Sequence, residues 1–252
     1  MNVGFLGTGK ITLSLIHGIF SSKIKVKKIY ISYRNASISR KLSRKYKKIK
    51  VLKDNQEIIN KSNLVFLAVT PKVGNRILPK LKFSPKKKII SLISTIKLKN
   101  LKRYTKSKKV IRVIPLPFVN LRKGPIIVCP KDFQTKNFFN SLGSVIEVNN
   151  ENLSKGFWST SSLMASFYNL LNVTSSWLTL KGIKKNLAEK YTKELFLALS
   201  EDAINKNKNS LKQLVLESQT PGGTNAYVLN QLKKKKFYKV QQTVLNSIFK
   251  KF

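Results

Sequence analysis

The chain has 252 residues, enough for one large domain or two modest ones, and its single cysteine, Cys129, excludes an intrachain disulfide framework. Fifty Lys and Arg against ten Asp and Glu give a formal charge of +40, a field that attracts polyanions. The excess is almost all Lys, scattered from Lys10 to Lys251 beside abundant Ile and Asn; with no Arg-rich, aromatic-interleaved stretch, it reads as compositional drift with weak nonspecific polyanion binding, and no specific nucleic-acid partner is expected.

Val3, Phe5 and Leu6 read as a buried strand that runs without a spacer into Gly7-Thr8-Gly9. Ile11, Leu15 and Ile19 then recur at helical spacing. Strand, tight glycine turn and helix start is the arrangement by which a Rossmann unit cradles a pyrophosphate on the N-terminus of a helix. The alternative is a purely structural glycine turn. The third glycine of the G-x-G-x-x-G pattern is Thr12 here, which predicts looser packing of helix on strand. Further strands are expected at Ile29–Ser32, Val51–Leu52, Asn63–Val69, Ile89–Ile93 and Val110–Ile114, with Gly124–Val128 and Val145–Val148 finishing the sheet as an antiparallel edge. From Asn152 the character changes: Leu153–Leu180 is long, apolar and Ser-rich, and Gly182 stops it as a helix stops. Helical patterns continue over Leu187–Asn205, Leu211–Ser218, Ala226–Leu232 and Val240–Phe249. The expected fold is therefore α/β: a Rossmann-type parallel-sheet domain over 1–151, then an all-helical domain over 152–252. The apolar faces of Ser154–Leu180 call for burial against a partner subunit. No apolar run is long enough to span a membrane and the N-terminus reads as a strand rather than a signal peptide, so a cytoplasmic protein without a membrane partner is expected.

Three places carry chemistry. The second strand ends Ser32-Tyr33-Arg34-Asn35 without a carboxylate. An acid there binds a ribose hydroxyl, whereas Arg34 can fork onto a 2′-phosphate, which favours NADP(H) over NAD; otherwise Arg34 is one more surface cation. Ala68-Val69-Thr70-Pro71 closes the fourth strand at its carboxyl end, where open sheets place ligands. Pro221-Gly222-Gly223-Thr224-Asn225 exposes backbone N–H groups ahead of a helix, a seat for a carboxylate, although taken alone it reads as an ordinary helix connection. No cluster of His, Cys or carboxylates suggests a metal, and His17 reads as a packing or surface residue.

Together these residues resemble the pyrroline-5-carboxylate reductase family over nearly the whole chain. The resemblance rests on Gly4-Phe5-Leu6-Gly7-Thr8-Gly9, the Asp54-Asn55 pair, Val65 to Lys72, Ile90-Ser91-Leu92, Arg112-Val113-Ile114-Pro115 and Pro221-Gly222-Gly223-Thr224. It implies hydride transfer from NADPH to the imine carbon of a small cyclic substrate, and a C-terminal domain that makes a homodimer or higher homo-oligomer. It implies that Gly7, Thr8, Gly9, Lys10 and Ile11 hold the pyrophosphate, that Ser32, Arg34 and Asn55 hold the adenosine end, and that Ala68, Val69, Thr70 and Pro71 line the nicotinamide side. Gly222, Gly223 and Thr224 would receive the substrate carboxylate, and Asn225 would stand at the ring nitrogen. Asn225 occupies a position where the family has Thr, and Pro115-Leu116-Pro117 replaces its Pro-Asn-Thr-Pro turn. These departures leave open a related oxidoreductase acting on another small imine or carbonyl compound, or a dinucleotide-binding dimer without turnover.

Overall fold

The computed structural model describes residues 1–251, which divide into two compact units, Met1–Trp158 and Ser159–Phe252, the last residue lying outside the described part. Unit 1 alternates strand and helix: β1 (Asn2–Leu6), α1 (Lys10–Ser21), β2 (Lys28–Ser32), α2 (Ala36–Lys45), β3 (Ile49–Leu52), α3 (Asn55–Lys61), β4 (Leu64–Leu67), α4 (Pro71–Ile77), β5 (Lys88–Ser91), α5 (Leu98–Thr105), β6 (Val110–Ile114), β7 (Pro125–Cys129), α6 (Phe133–Asn140) and β8 (Ser144–Glu147). Then α7 (Glu151–Ser161) begins. The expected boundary at 151/152 lies at the start of α7, whereas the compact units divide inside it; Trp158 packs against one of the two cores of unit 1, and Ser154 is buried.

The strands form one sheet in the order β3-β2-β1-β4-β5-β6-β7-β8. From β3 to β6 all neighbours are parallel. The order reverses between β1 and β4, the switch point at which sheets of this kind bind ligands beyond the strands' carboxyl ends. β7 runs antiparallel to β6, and β8 is parallel to β7, so the reversed edge is a pair of strands.

Because strand side chains alternate in direction, the sheet buries two separate cores. Val3 and Phe5 of β1 join Ile29, Ile31, Phe66 and Ile90 on one side, against Leu15, Ile16 and Ile19 of α1. Leu6, Val65, Leu67 and Ile89 face the other side with Ile58, Leu78 and Leu101. Phe5 and Phe66 stack with centroids 4.5 Å apart across the β1–β4 pair, a contact of about 0.5–1.5 kcal/mol beyond burial. This double burial fixes register, since a one-residue slip would exchange the faces.

Unit 2 contains α8 (Met164–Leu180), α9 (Lys185–Asn205), α10 (Leu211–Glu217), α11 (Thr224–Lys234) and α12 (Phe237–Lys250). The apolar stretch expected from Leu153 to Leu180 is broken between α7 and α8. There the backbone N–H groups of Ser162 and Leu163 turn back to Ser159 O and Thr160 O, and the Ser162 hydroxyl also donates to Ser159 O at 2.6 Å. Serine hydroxyls competing for helix carbonyls favour such a turn. Gly182, at φ +89°, follows the end of α8, as its place in the sequence predicts.

Among the described residues of unit 2, Ala188 is the only hydrophobic side chain that is buried. Val173, Trp177 and Leu180 stand exposed at i, i+4 and i+7 on α8, and Leu187, Tyr191, Leu195 and Leu199 at four-residue intervals on α9. Each set is an apolar stripe along one helix face.

Candidate functional site

Two loops emerge side by side at the switch point, where β1 pairs with β4. The first is Gly7-Thr8-Gly9. Gly7 adopts φ +106°, and a β-carbon on it would lie 2.3 Å from Ala68 O in the second loop. Glycine is required there twice over, by conformation and by the closeness of the next backbone. The Gly7 N–H donates to Ser32 Oγ (3.1 Å), the Thr8 hydroxyl donates to Ser32 O (2.6 Å), and the Thr12 hydroxyl donates to Gly7 O (2.9 Å). Thr12 is completely buried. At the third glycine's place it therefore bonds back to the turn.

Ser32, assigned to the adenosine end, is 2% exposed and holds the glycine turn onto the end of β2 with its hydroxyl. Its serine chemistry serves the loop's shape. Thr8 is likewise buried, so it can reach a ligand only through its backbone.

The far side of the turn is open. A β-carbon on Gly9 would meet nothing within 4 Å. Gly9 is the N-cap of α1, no side chain caps that helix, and its first turn has no acid. In contrast, Asn35, Asp54, Asp132 and Ser210 cap α2, α3, α6 and α10 with their side chains. The first N–H groups of α1, those of Lys10, Ile11 and Thr12, have no intrahelical partner by helix geometry and carry the positive end of the dipole. A pyrophosphate fits this cradle in charge and in space: a side chain at Gly9 would fill it, and the amides face it unsatisfied.

The second loop is Ala68-Val69-Thr70-Pro71. The Ala68 N–H donates to Leu6 O at 2.8 Å, which holds the loop against the end of β1. Thr70 is the N-cap of α4 and Pro71 its first residue, a place where the missing N–H costs nothing. At the end of β2, Arg34 is exposed, while Asn35 Oδ1 accepts from the Ile38 N–H and so caps α2. Arg40, Lys41, Arg44 and Lys45 line a groove of about 580 Å³ along α2, adding cations beyond Arg34. Asn55 is the first residue of α3, half-buried behind its cap Asp54.

In unit 2, Gly222 (φ +72°) turns the chain between α10 and α11, and Gly223 is the N-cap of α11. The Gly223 N–H donates to Thr220 O at 2.9 Å. No side chain caps α11 and its first turn has no acid, which leaves amides of Thr224 and Asn225 at a bare helix start. Asn225 is exposed; its Nδ2 donates to Ser218 O at 3.0 Å, at the end of α10.

Sequence reading passed over Glu151 and treated Arg112 only as part of a motif. Arg112, in the middle of the sheet and 4% exposed, pairs through Nη1 with Glu151 Oε1 at 2.7 Å and donates from Nη2 to Ile96 O. Burial lowers the guanidinium's pKa, with Glu151 opposing. The one available signal was an arginine inside an otherwise apolar strand, which demands a buried anion. His17 packs beside Tyr46, its Nδ1 2.8 Å from the Tyr46 hydroxyl, and stays away from both loops. Among the described residues, no group of three His, Cys, Asp or Glu could hold a metal, and no helix is long and apolar enough to cross a membrane.

The profile described as "NADP oxidoreductase coenzyme F420-dependent" matches residues 2–96, the part that carries both switch-point loops. Over 98% of its length the chain is similar to pyrroline-5-carboxylate reductase of Pisum sativum, at 23% identity and 92% coverage of that protein. Its fold matches the solved structure of 1-pyrroline-5-carboxylate reductase from Streptococcus pyogenes with a TM-score of 0.85 at 19% identity, covering 100% of this chain and 97% of that one. The pyrroline carboxylate reductase of Plasmodium falciparum, solved with NADP bound, gives a TM-score of 0.85 at 19% identity, covering 100% of this chain and 96% of that one. The likeness runs through both units.

Proposed function

We propose that the protein reduces pyrroline-5-carboxylate to proline with NADPH. The observation that carries this is the pairing of an uncapped, sterically open α1 N-terminus at the sheet's switch point with full-length similarity to pyrroline-5-carboxylate reductases. When bound, NADPH supplies the hydride for the imine carbon. Around it, the amides of Thr8 to Ile11 neutralise the pyrophosphate. Arg34, aided by Asn55, accepts the adenosine 2′-phosphate, and Ala68 to Pro71 support the nicotinamide. The bare N-terminus of α11, with Gly222, Gly223 and Thr224, receives the substrate carboxylate. Asn225 offers an amide donor to the ring nitrogen, and its bond to Ser218 O limits the directions in which that donor can point. Reduction of an imine asks little of the protein beyond positioning and a proton source, which suits a site without a histidine or carboxylate pair.

The proposed assembly is a homo-oligomer, at least a dimer, built on unit 2. Trp177 is 56% and Leu180 84% exposed in one copy, and the stripes on α8 and α9 form apolar surface that a lone domain rarely leaves to water. Stripes of this kind fit helix-on-helix packing with a second copy. We further propose a cytoplasmic location.

Purified protein mixed with NADPH and pyrroline-5-carboxylate should consume NADPH and yield proline. NADPH binding without turnover would overturn the substrate assignment and leave the cofactor site standing. A second reading, a related reductase of another small imine, draws on Asn225 and Leu116; a panel of cyclic imines and small carbonyl compounds tests it.

A further inference from the structure

Arg112 and Glu151 do more than neutralise each other. Glu151 opens α7, and its carboxylate accepts from the Leu98 N–H at 2.9 Å and 3.2 Å while it pairs with Arg112. Arg112 in turn donates to Ile96 O. The two side chains thus hold the end of the β5–α5 loop, residues 92–97, at Ile96 and at Leu98, where α5 begins. That loop is seated at its other side as well: the Leu92 N–H donates to Leu67 O at 3.0 Å, and the Ile93 N–H to Ser91 Oγ at 3.2 Å. Its apolar side chains reach α4. A methyl group on Gly74 would stand 3.0 Å from Ile96 Cδ1, 3.1 Å from Ile93 Cδ1 and 3.6 Å from Val69 Cγ2. A continuous path of bonded and packed groups therefore leads from the start of α7, through the buried arginine, to α4, the helix that Thr70 caps and Pro71 opens.

We propose that Arg112 and Glu151 are positioning residues, which clamp the β5–α5 loop and so set the N-terminus of α4 beneath the nicotinamide end of the cofactor. The proposal rests on the cofactor placement given above, and neither residue touches cofactor or substrate. Arg112 stands on β6, which β4 and β5 separate from β1 and the glycine turn that follows it. Loosening the clamp should therefore spoil hydride geometry more than cofactor affinity, since a displacement of about 1 Å at reacting atoms can lower a rate by about a hundredfold.

The test compares Glu151→Gln, Glu151→Asp and Arg112→Lys with the parent full-length protein. Glu151→Gln keeps the volume and removes the charge. Glu151→Asp keeps the charge but is one methylene too short to serve Arg112 and Leu98 together. Expected are a kcat about tenfold or more below the parent for Glu151→Gln, a smaller loss for Glu151→Asp, and an NADPH Kd within about threefold of the parent. Hydrogen exchange of the peptide spanning residues 92–98 should quicken well below the melting temperature, with β1 to β3 unchanged. Should Arg112→Lys fail to fold, the two glutamate variants decide. Variants that melt earlier but keep the parent's kcat and its exchange at 92–98 overturn the proposal, because the pair is then only a buried structural contact. If the parent itself does not reduce pyrroline-5-carboxylate, the functional reading falls separately. Exchange at 92–98 and at residues 71–74 then decides the clamp: acceleration in Glu151→Gln supports it, and unchanged exchange overturns it.

Discussion

Gly7 and Gly9 sit two residues apart in one turn, yet replacing each with alanine should give opposite outcomes. At Gly7 the backbone lies at φ +106°, which costs an L-residue about 1–2 kcal/mol. The new β-carbon would also sit 2.3 Å from Ala68 O, a backbone atom that cannot rotate away. Relieving that overlap requires a shift of the β4–α4 loop, a strain of about 1–3 kcal/mol. Gly7→Ala should therefore lose about 2–5 kcal/mol, and its Tm should drop by about 5–15 °C for a chain of this size. At Gly9 the backbone angle is ordinary (φ −96°) and the β-carbon meets nothing within 4 Å. Alanine gains from a less flexible unfolded chain and loses as an N-cap, so stability should stay within about 1 kcal/mol of the parent. The methyl group would stand where the pyrophosphate must come, and would prevent one or two charge-assisted hydrogen bonds of about 1.5–3 kcal/mol each. Gly9→Ala should then weaken NADPH about a hundredfold or more, equivalent to about 2.7 kcal/mol. Titration of NADPH fluorescence, with a thermal melt of the same samples, separates the two effects. A folded Gly9→Ala protein that binds NADPH as the parent does would refute the assignment of α1's N-terminus as the phosphate seat.

Arg34→Ala should weaken NADPH about tenfold and leave NADH unchanged, the loss being moderated by Arg40, Lys41 and Arg44 nearby; equal losses for both cofactors in parallel titrations would refute a phosphate role. Tyr191→Glu combined with Leu195→Glu places charge on the α9 stripe and should shift the protein to monomer in sedimentation, with a Tm that no longer depends on concentration. His17 has a pKa lowered from 6.5, first by burial and then by Lys45 and Lys41. The unfolded chain therefore takes up the proton first as the pH falls: the contribution of neutral His17 is complete above 6.5 and is lost as the pH drops through the folded value. Denaturation midpoints measured between about pH 7.5 and about pH 5 should show this loss in the parent and less of it in His17→Gln.

What the sequence revealed followed from how local each cause is. A parallel strand buried on both faces must be apolar throughout, so Val3–Leu6 and Leu64–Leu67 were legible as strands, whereas the strand order that makes their carboxyl ends the switch point came from the assembled sheet. A positive φ at Gly7 and at Gly222 follows from glycine in a turn. The direction of a hydroxyl does not: Ser32 at the end of a strand can point to a ligand or to its own fold, and the Gly7 N–H, brought close by β1–β2 pairing, decided for the fold. The α7–α8 break is a competition of serine hydroxyls with backbone N–H groups for helix carbonyls, inside a periodic pattern that continues through it. Arg112 and Glu151 are joined only once β6, the β5–α5 loop and α7 are assembled, so no spacing announced them. Unit 2 inverts the problem. Its apolar character was plain in the sequence, but periodicity states only that a face must be covered; the exposed stripes on α8 and α9 do not name the cover, which the proposed second copy would supply. This is why the glycine turn and the β4–α4 loop, both local, could be placed residue by residue. The substrate half depends on where Asn225 stands once unit 2 is covered, and it is there that mutation of the α9 stripe and of Asn225 should converge: if the assembly orders the substrate seat, Tyr191→Glu with Leu195→Glu should depress kcat as well as dissociate the protein, with NADPH affinity preserved.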